Sequence, residues 1–419
     1  MEEAVPAVKN HRSTSVALAE PGPAAGPLRG RPDRVRAAVS LPEAATEVRY
    51  LDTAGAIGAV GWLRVESSAV CGTDVSLYQA GLDWPTVMGH HVVGRITALD
   101  PSPALAWRVA VGDLVALEEY LPCMRPDCEE CSVRGRYRMC PASDLWKGRR
   151  RVGLISSEEG SGLYGGNAEY MQLNANSIVH KLPADLDPDL ASWTQPFANA
   201  VDWTVNAGGA REGSTVVVIG PGYHGIAAVA AARAAGAKRI IAVGRSYERL
   251  EIAEALGAVP VVNDGGTDLG ALIDTATAGK GTDLILDTVG LGRAVTSAAA
   301  GTLRKLGRLV LAGLGPVPVS EVDLKALIRG ANTITGVRGR SPEAVRQSID
   351  ILASGTSGLE LVPTTHVPLE EVGEMLHRLA NGKGPSSPHV VIRPQPAGAT
   401  SQSAQNSQTA QNSQTAQPS

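Results

Sequence analysis

The chain has 419 residues, enough for two ordinary domains with cores of their own. Hydrophobic residues make up 43% and charged residues 19%, as in a globular enzyme, and a net charge of −4 offers no field to draw in DNA or RNA. One Phe, six Trp and eight Tyr are too few for base-stacking platforms, so a nucleic-acid partner is not expected.

No run reaches the roughly 18 apolar residues of a spanning helix, and the start MEEAVPAVKN lacks the basic and apolar regions of a signal peptide. A cytoplasmic protein without a membrane partner is expected. Residues 1–33, with PGPAAGPLRGRP, carry neither helical nor strand period and are expected to be disordered. From 34 to 185, short β-rich runs (VGWLRVES, HVVGRITALD, RVAVGDLVAL, NAEYMQL) separated by Gly, Pro and Asp predict a small barrel.

The next segment, 186–340, has a different texture. STVVVIG predicts a fully apolar strand, GIAAVAAARAAGA an Ala-rich helix and KRIIAVG a second strand, with LILDTVG and GRLVLAG following. Strand–helix alternation of this kind specifies a doubly wound parallel sheet. In 341–395, the helical stretches SPEAVRQSIDILASG and PLEEVGEMLHRLANG lead to a late strand, HVVIRP, read as a return to the first domain. Residues 396–419 repeat small polar residues in AQNSQTAQNSQTAQ and are expected to stay solvated.

Gly220, Gly222 and Gly225 stand in GPGYHG, between the first strand and the Ala-rich helix. The first glycine makes the tight turn, the second lets backbone approach a pyrophosphate, and the third lets helix and strand pack closely. The helix N-terminus adds free N–H groups for phosphates. Tyr223 and His224 within the turn, and Arg249 in the next helix, complete the expected cofactor contacts. About 20 residues on, where a NAD site usually has an acidic residue, the chain has Gly244, Arg245 and Ser246. Losing the carboxylate and gaining Arg245 favours the 2′-phosphate of NADP; the alternative is a solvated Arg245 and NAD bound without its acidic contact.

Four of the five cysteines, Cys123, Cys128, Cys131 and Cys140, crowd into CMRPDCEECSVRGRYRMC. Four thiolates so close match a tetrahedral zinc site with no open position, hence a structural one, the alternative being free thiols. Arg134, Arg136 and Arg138 are expected to offset the thiolate charge.

Together these residues resemble the zinc-dependent medium-chain dehydrogenase/reductase superfamily, which includes alcohol, sorbitol and threonine dehydrogenases. The resemblance spans roughly residues 34–395 and rests on CGTD (71–74), GHHVVG (89–94), VGDLV (111–115), the cysteine lobe, GGNAEY (165–170), GPGYHG (220–225) and LDTVG (286–290), in the family's order. It implies an α/β fold: a GroES-like β-barrel catalytic domain interrupted by a Rossmann domain, with the active site in the cleft between them. It also implies that Cys71 and His90 hold a catalytic zinc, that Asp74 steers His90, and that Thr73 hydrogen-bonds the substrate alcohol and begins the proton's exit route.

Three positions depart from the family. His91 replaces the glutamate of GHE, Gln195 stands before Pro196 where sorbitol-type members have Glu, and Ser76 replaces a relay histidine. Both carboxylates near the metal are thereby lost. A Cys71–His90–His91 set with Gln195 close by carries one negative charge fewer, which makes bound zinc a stronger Lewis acid. Neighbours on an extended strand face opposite ways, so His91 ligates only if the backbone turns, as Gly89 permits; otherwise it packs beside the site.

The expected reaction is hydride transfer between a secondary alcohol or polyol-like hydroxyl and NAD(P), with Thr73 taking the proton and Ser76 passing it on. Trp84, Trp193 and Trp203 are candidates to line the pocket. The alternatives are a zinc-free NADPH-dependent enone or quinone reductase and a noncatalytic nucleotide-binding protein. A homo-oligomer, dimer or tetramer, acting on a small molecule is expected.

Overall fold

The computed structural model describes residues 30–145, 150–315 and 321–396. The two tails expected to be disordered lie almost wholly outside these residues.

The trunk of the first half is the eleven-residue strand Ala59–Ala69. It pairs antiparallel with His91–Leu99 and Tyr170–Asn174, and at its far end with the C-terminal strand His389–Ile392. Strands Thr364–Val367, Leu114–Leu117 and Val179–Lys181 complete a seven-stranded sheet. A smaller sheet orders Thr46–Asp52, Arg34–Ser40 and Thr86–Val87 beside it. Inward residues such as Leu63, Val65, Val92, Ile96, Val115 and Met171 form one core between these strands.

The second half is a six-stranded sheet whose pairings are all parallel. Its spatial order is Val259–Val262, Arg239–Gly244, Thr215–Ile219, Thr282–Asp287, Leu303–Leu311, Thr333–Gly336, so the winding reverses beside Thr215–Ile219. Alternate residues explain why these strands read as continuous apolar runs. Val216, Val218, Ala242 and Leu286 face one helical layer, whereas Val217, Ile219, Ile241 and Ile285 face Ile273 and Val295 on the other. Helix Tyr223–Ala234 is rich in alanine because it lies between the sheet and helix Thr194–Val201, with no room for larger side chains. Ala69, Cys71, Trp193 and Val391 belong to the same buried cluster as Val216 and Val218, so the cores of the two halves are continuous.

Candidate active site

Cys71 follows the trunk strand and caps helix Gly72–Ala80. The register sets Ala69 opposite His91, which brings the histidine pair beside the cysteine. Gly89 has φ +90°, and a Cβ there would collide with Asn167 Oδ1 and Ser68 Oγ. The chain turns at this glycine, and the strand begins only at His91. The two histidines therefore do not alternate across a sheet. Their rings meet edge to face, with centroids 4.4 Å apart. Ligand atoms of Cys71, His90 and His91 lie within 4.8 Å of one another, and all three residues are buried.

One carboxylate organises this cluster. Asp74 Oδ2 accepts the Cys71 N–H at 2.9 Å, and Oδ1 lies 2.9 Å from His90 Nδ1. Burial alone would lower the His90 pKa, but Asp74 and Cys71 outweigh it and raise the value to about 10. His91 goes the opposite way: burial, then the charges of His90 and Arg340, hold it well below its ordinary value. Its Nδ1 lies 3.3 Å from the Tyr223 hydroxyl. With Nδ1 of each ring engaged, Nε2 is the nitrogen left to a metal.

Gln195, on helix Thr194–Val201, anchors its amide nitrogen on the Val92 and Leu117 carbonyls, at 3.1 Å and 2.5 Å. Its Oε1 is buried without a hydrogen-bond partner among the described residues. An orphaned buried acceptor costs about 1–3 kcal/mol, which a cation would recover. A cysteine sulfur and two imidazole nitrogens are donors that zinc accepts, the metal displacing the proton that Asp74 otherwise keeps on His90, so these residues fit the ion. Thr73 is half-buried, its Oγ1 3.9 Å from Cys71 Sγ, and Ser76 is exposed one turn further along.

Behind the cluster lies a buried charge network that the motifs do not announce. Arg340 is wholly buried; its Nη2 donates to Glu119 Oε2, and its Nε faces Glu118 Oε2 at 3.3 Å. Arg151 donates to Glu119 Oε1 at 3.0 Å. Burial would raise the Glu119 pKa, but Arg340, Arg151 and His90 bring it down to about 2. A second Arg340 nitrogen reaches Asn199 Oδ1 at 3.1 Å, and Asn199 Nδ2 lies 3.2 Å from His224. Burial and Arg340 lower the His224 pKa to about 4. The available signal was the pair of glutamates directly after an apolar strand, in LVALEEY.

On the nucleotide side, Gly220 has φ +89°, and a Cβ on Gly225 would strike the Gly220 carbonyl. A Cβ on Gly222 would find its nearest neighbour, Arg249, at 3.9 Å, so the space over this glycine is open to a ligand. Arg245 is exposed and Arg249 half-buried; Gly244 packs against Pro221. Tyr223 and His224 turn toward the catalytic half. A cavity of about 150 Å³ is lined by Cys71, Tyr223, Arg249, Ser387 and Val390, running from the cysteine to the first residue of the helix after the nucleotide turn.

Residues 62–184 match the family described as alcohol dehydrogenase GroES-like domain, and residues 225–354 match that described as zinc-binding dehydrogenase. The "Probable alcohol dehydrogenase" of Mycobacterium tuberculosis is 31% identical over 342 residues, covering 79% of this chain and 91% of that protein. The chain belongs to the zinc-binding alcohol dehydrogenase family. An erythritol/L-threitol dehydrogenase of Mycolicibacterium smegmatis is 31% identical, covering 77% of this chain and 87% of its own. The solved alcohol dehydrogenase from Thermus sp. ATN1 superposes with a TM-score of 0.71 at 26% identity, covering 85% and 99% of the two chains. This member is an oxidoreductase of the zinc alcohol and polyol dehydrogenase type, acting on CH–OH groups with a nicotinamide cofactor.

The family's second cysteine cluster is also assembled: ligand atoms of Cys123, Cys128, Cys131 and Cys140 lie within 4.8 Å of one another. Short helical turns at Glu129–Val133 and Tyr137–Met139 carry them. The three neighbouring arginines do not offset the thiolates as expected. Arg134 pairs with Glu129, Arg136 with Glu130 and Arg138 with Asp202, because carboxylates five or six residues away, or across the fold, are better placed partners. Among the tryptophans, Trp193 is buried against His389 and Tyr223, and Trp203 packs at a tilt against His224. Trp84 instead stands partly exposed and donates to the Leu154 carbonyl.

Proposed function

We propose that Cys71, His90 and His91 hold the catalytic zinc, with Gln195 Oε1 beside them, and that the Cys123, Cys128, Cys131 and Cys140 lobe holds a structural one. The carrying observation is that Cys71, whose sulfur lies with the ligand atoms of His90 and His91, also lines a cavity with Tyr223 and Arg249 beside the dinucleotide turn. When bound, zinc polarises the substrate hydroxyl and lowers its pKa, and the nicotinamide accepts the hydride. Asp74 orients His90, and Tyr223 orients His91. Thr73, beside Cys71, takes the hydroxyl proton, and Ser76 on the exposed face of the same helix passes it to solvent. The substrate is a secondary alcohol or a polyol, in keeping with the relatives named above.

NADP is the preferred cofactor: exposed Arg245 at the end of Arg239–Gly244, with Arg249 beside Gly222, offers guanidinium groups where a ribose 2′-phosphate lies in such folds. A homo-oligomer, dimer or tetramer, is supported by the outer strand Thr333–Gly336 and the exposed Leu324 and Ile328 on the helix before it. Five unpaired cysteines suit the reducing cytoplasm.

Zinc content and turnover test this reading together. Wild type should carry two zincs per chain and Cys71→Ala one, with NADPH-linked carbonyl turnover reduced about a thousandfold or more, since several kcal/mol of charge stabilisation disappear. One zinc in both proteins defeats the ligand assignment. Arg245→Asp should shift preference from NADPH toward NADH, and an unmoved ratio defeats the cofactor assignment.

A further inference from the structure

His91 and Tyr223 lie 132 positions apart and belong to different halves of the molecule. His91 opens the antiparallel strand next to Cys71, and Tyr223 is the first residue of the helix that starts at the dinucleotide turn. Their side chains meet at 3.3 Å in a buried setting. The phenol is not a loose contact: its ring packs 5.1 Å from Trp193 and stacks 5.9 Å from His389. His389 is itself pinned, Nε2 at 2.8 Å from Ser192 Oγ and Nδ1 at 2.9 Å from Thr364 Oγ1. The hydroxyl therefore has one place to be while the turn keeps its position.

We propose that Tyr223 is a positioning residue that couples the two binding sites: it holds His91 ready for the metal and transmits dinucleotide occupancy of the turn to metal retention at Cys71, His90 and His91. This rests on the assignment of zinc to that cluster. To ligate through Nε2, His91 must carry its proton on Nδ1, and that N–H then needs an acceptor. The Tyr223 oxygen is the acceptor in reach, which leaves the phenol's own proton uncommitted. Without the oxygen, the Nδ1–H of the metal-competent tautomer is left buried and unpaired, and nothing holds the ring in the orientation that presents Nε2. Tyr223 also lines the cavity between Cys71 and Arg249, so a dinucleotide laid across the turn packs against this ring and restrains it. Restraint of the ring is restraint of His91. Coupling of this kind is reciprocal: if dinucleotide tightens the metal, the metal tightens dinucleotide by the same factor.

The test uses the intact chain and Tyr223→Phe, which removes one oxygen. A chromogenic chelator strips zinc with and without saturating NADP⁺, and the slower or faster release of the zinc absent from Cys71→Ala is followed. Dinucleotide affinity is measured separately on metal-loaded protein and on protein emptied at that site. In wild type, NADP⁺ should slow this release about fivefold or more, and at equilibrium against the chelator NADP⁺ should tighten zinc by the same factor by which zinc tightens NADP⁺. In Tyr223→Phe, release without NADP⁺ should accelerate about 10- to 100-fold, and both ratios should fall toward one. If NADP⁺ slows release equally in both proteins, it merely covers the site, and the coupling through Tyr223 is overturned while the zinc assignment stands. A wild type with no ion lost on Cys71→Ala overturns both. Should the Phe variant not fold, cobalt-substituted wild type decides: absorption bands unmoved by NADP⁺ overturn the coupling.

Discussion

The two sulfur-containing clusters of this molecule are built on opposite plans. The lobe at 123–140 gathers four cysteines from a loop with short helical turns, where Cys123 and Cys131 are partly exposed and most charged neighbours are exposed. The cluster at Cys71 gathers one cysteine and two histidines from a helix cap and a strand start, all buried, with Asp74, Tyr223 and the trunk strand holding them. In the first, on the proposed assignment, zinc would be what holds the polypeptide together. In the second, the polypeptide is organised before the metal arrives, which is what a reacting centre needs, since its ligands must not rearrange during chemistry.

The largest effect expected from this contrast is on the lobe. Cys128→Ser should lose one zinc per chain and speed proteolysis within 123–140 about a hundredfold or more, since structural zinc supplies on the order of 10 kcal/mol to comparable small sites. Limited proteolysis of Cys71→Ala should show no such cleavage; if it does, the buried cluster is not preorganised.

Next comes the charge network behind the buried cluster. Glu119→Gln strands Arg340 and Arg151 and should cost about 3–5 kcal/mol in urea unfolding. Folding depresses the Glu119 pKa from 4.5 to about 2, so its stabilisation is complete above about pH 4.5 and disappears as the pH falls toward 2. Wild type should therefore lose stability over that window faster than the variant does. Parallel pH profiles for the two proteins would contradict the pairing.

The smallest effect sharpens the contrast rather than breaking it. Asp74→Asn keeps the shape but weakens the hold on His90 and the Cys71 N–H. Zinc affinity at the buried cluster should drop about 10- to 100-fold by competition with a chelator, and the lobe should keep its zinc.

Much of the nucleotide half was legible beforehand because its signals are local. GPGYHG needs only the turn at Gly220 and the close contact at Gly225, and the apolar strands announce a sheet covered on both faces. The cysteine lobe was legible for the same reason, its four ligands lying within 18 consecutive residues. The arginine partners were misread there because spacing shows which groups are near but not which carboxylates compete for them. Their place in the turn predicts cofactor contacts for Tyr223 and His224, yet the Tyr223 side chain also serves the other half through His91, and His224 faces Asn199 within its own.

The sequence by itself determined the family, the order of the two halves and the identity of Cys71 and His90 as a pair, since these depend on motifs a few residues long. Tertiary structure alone decided where the His91 side chain lies. Whether it faces Cys71 depends on a turn at Gly89, on the pairing of His91 with Ala69, and on a tyrosine 132 positions away. It likewise decided that Glu119, Arg151 and Arg340 meet in the interior: only the packing of the two halves removes these charges from water together, and only together are they tolerable there.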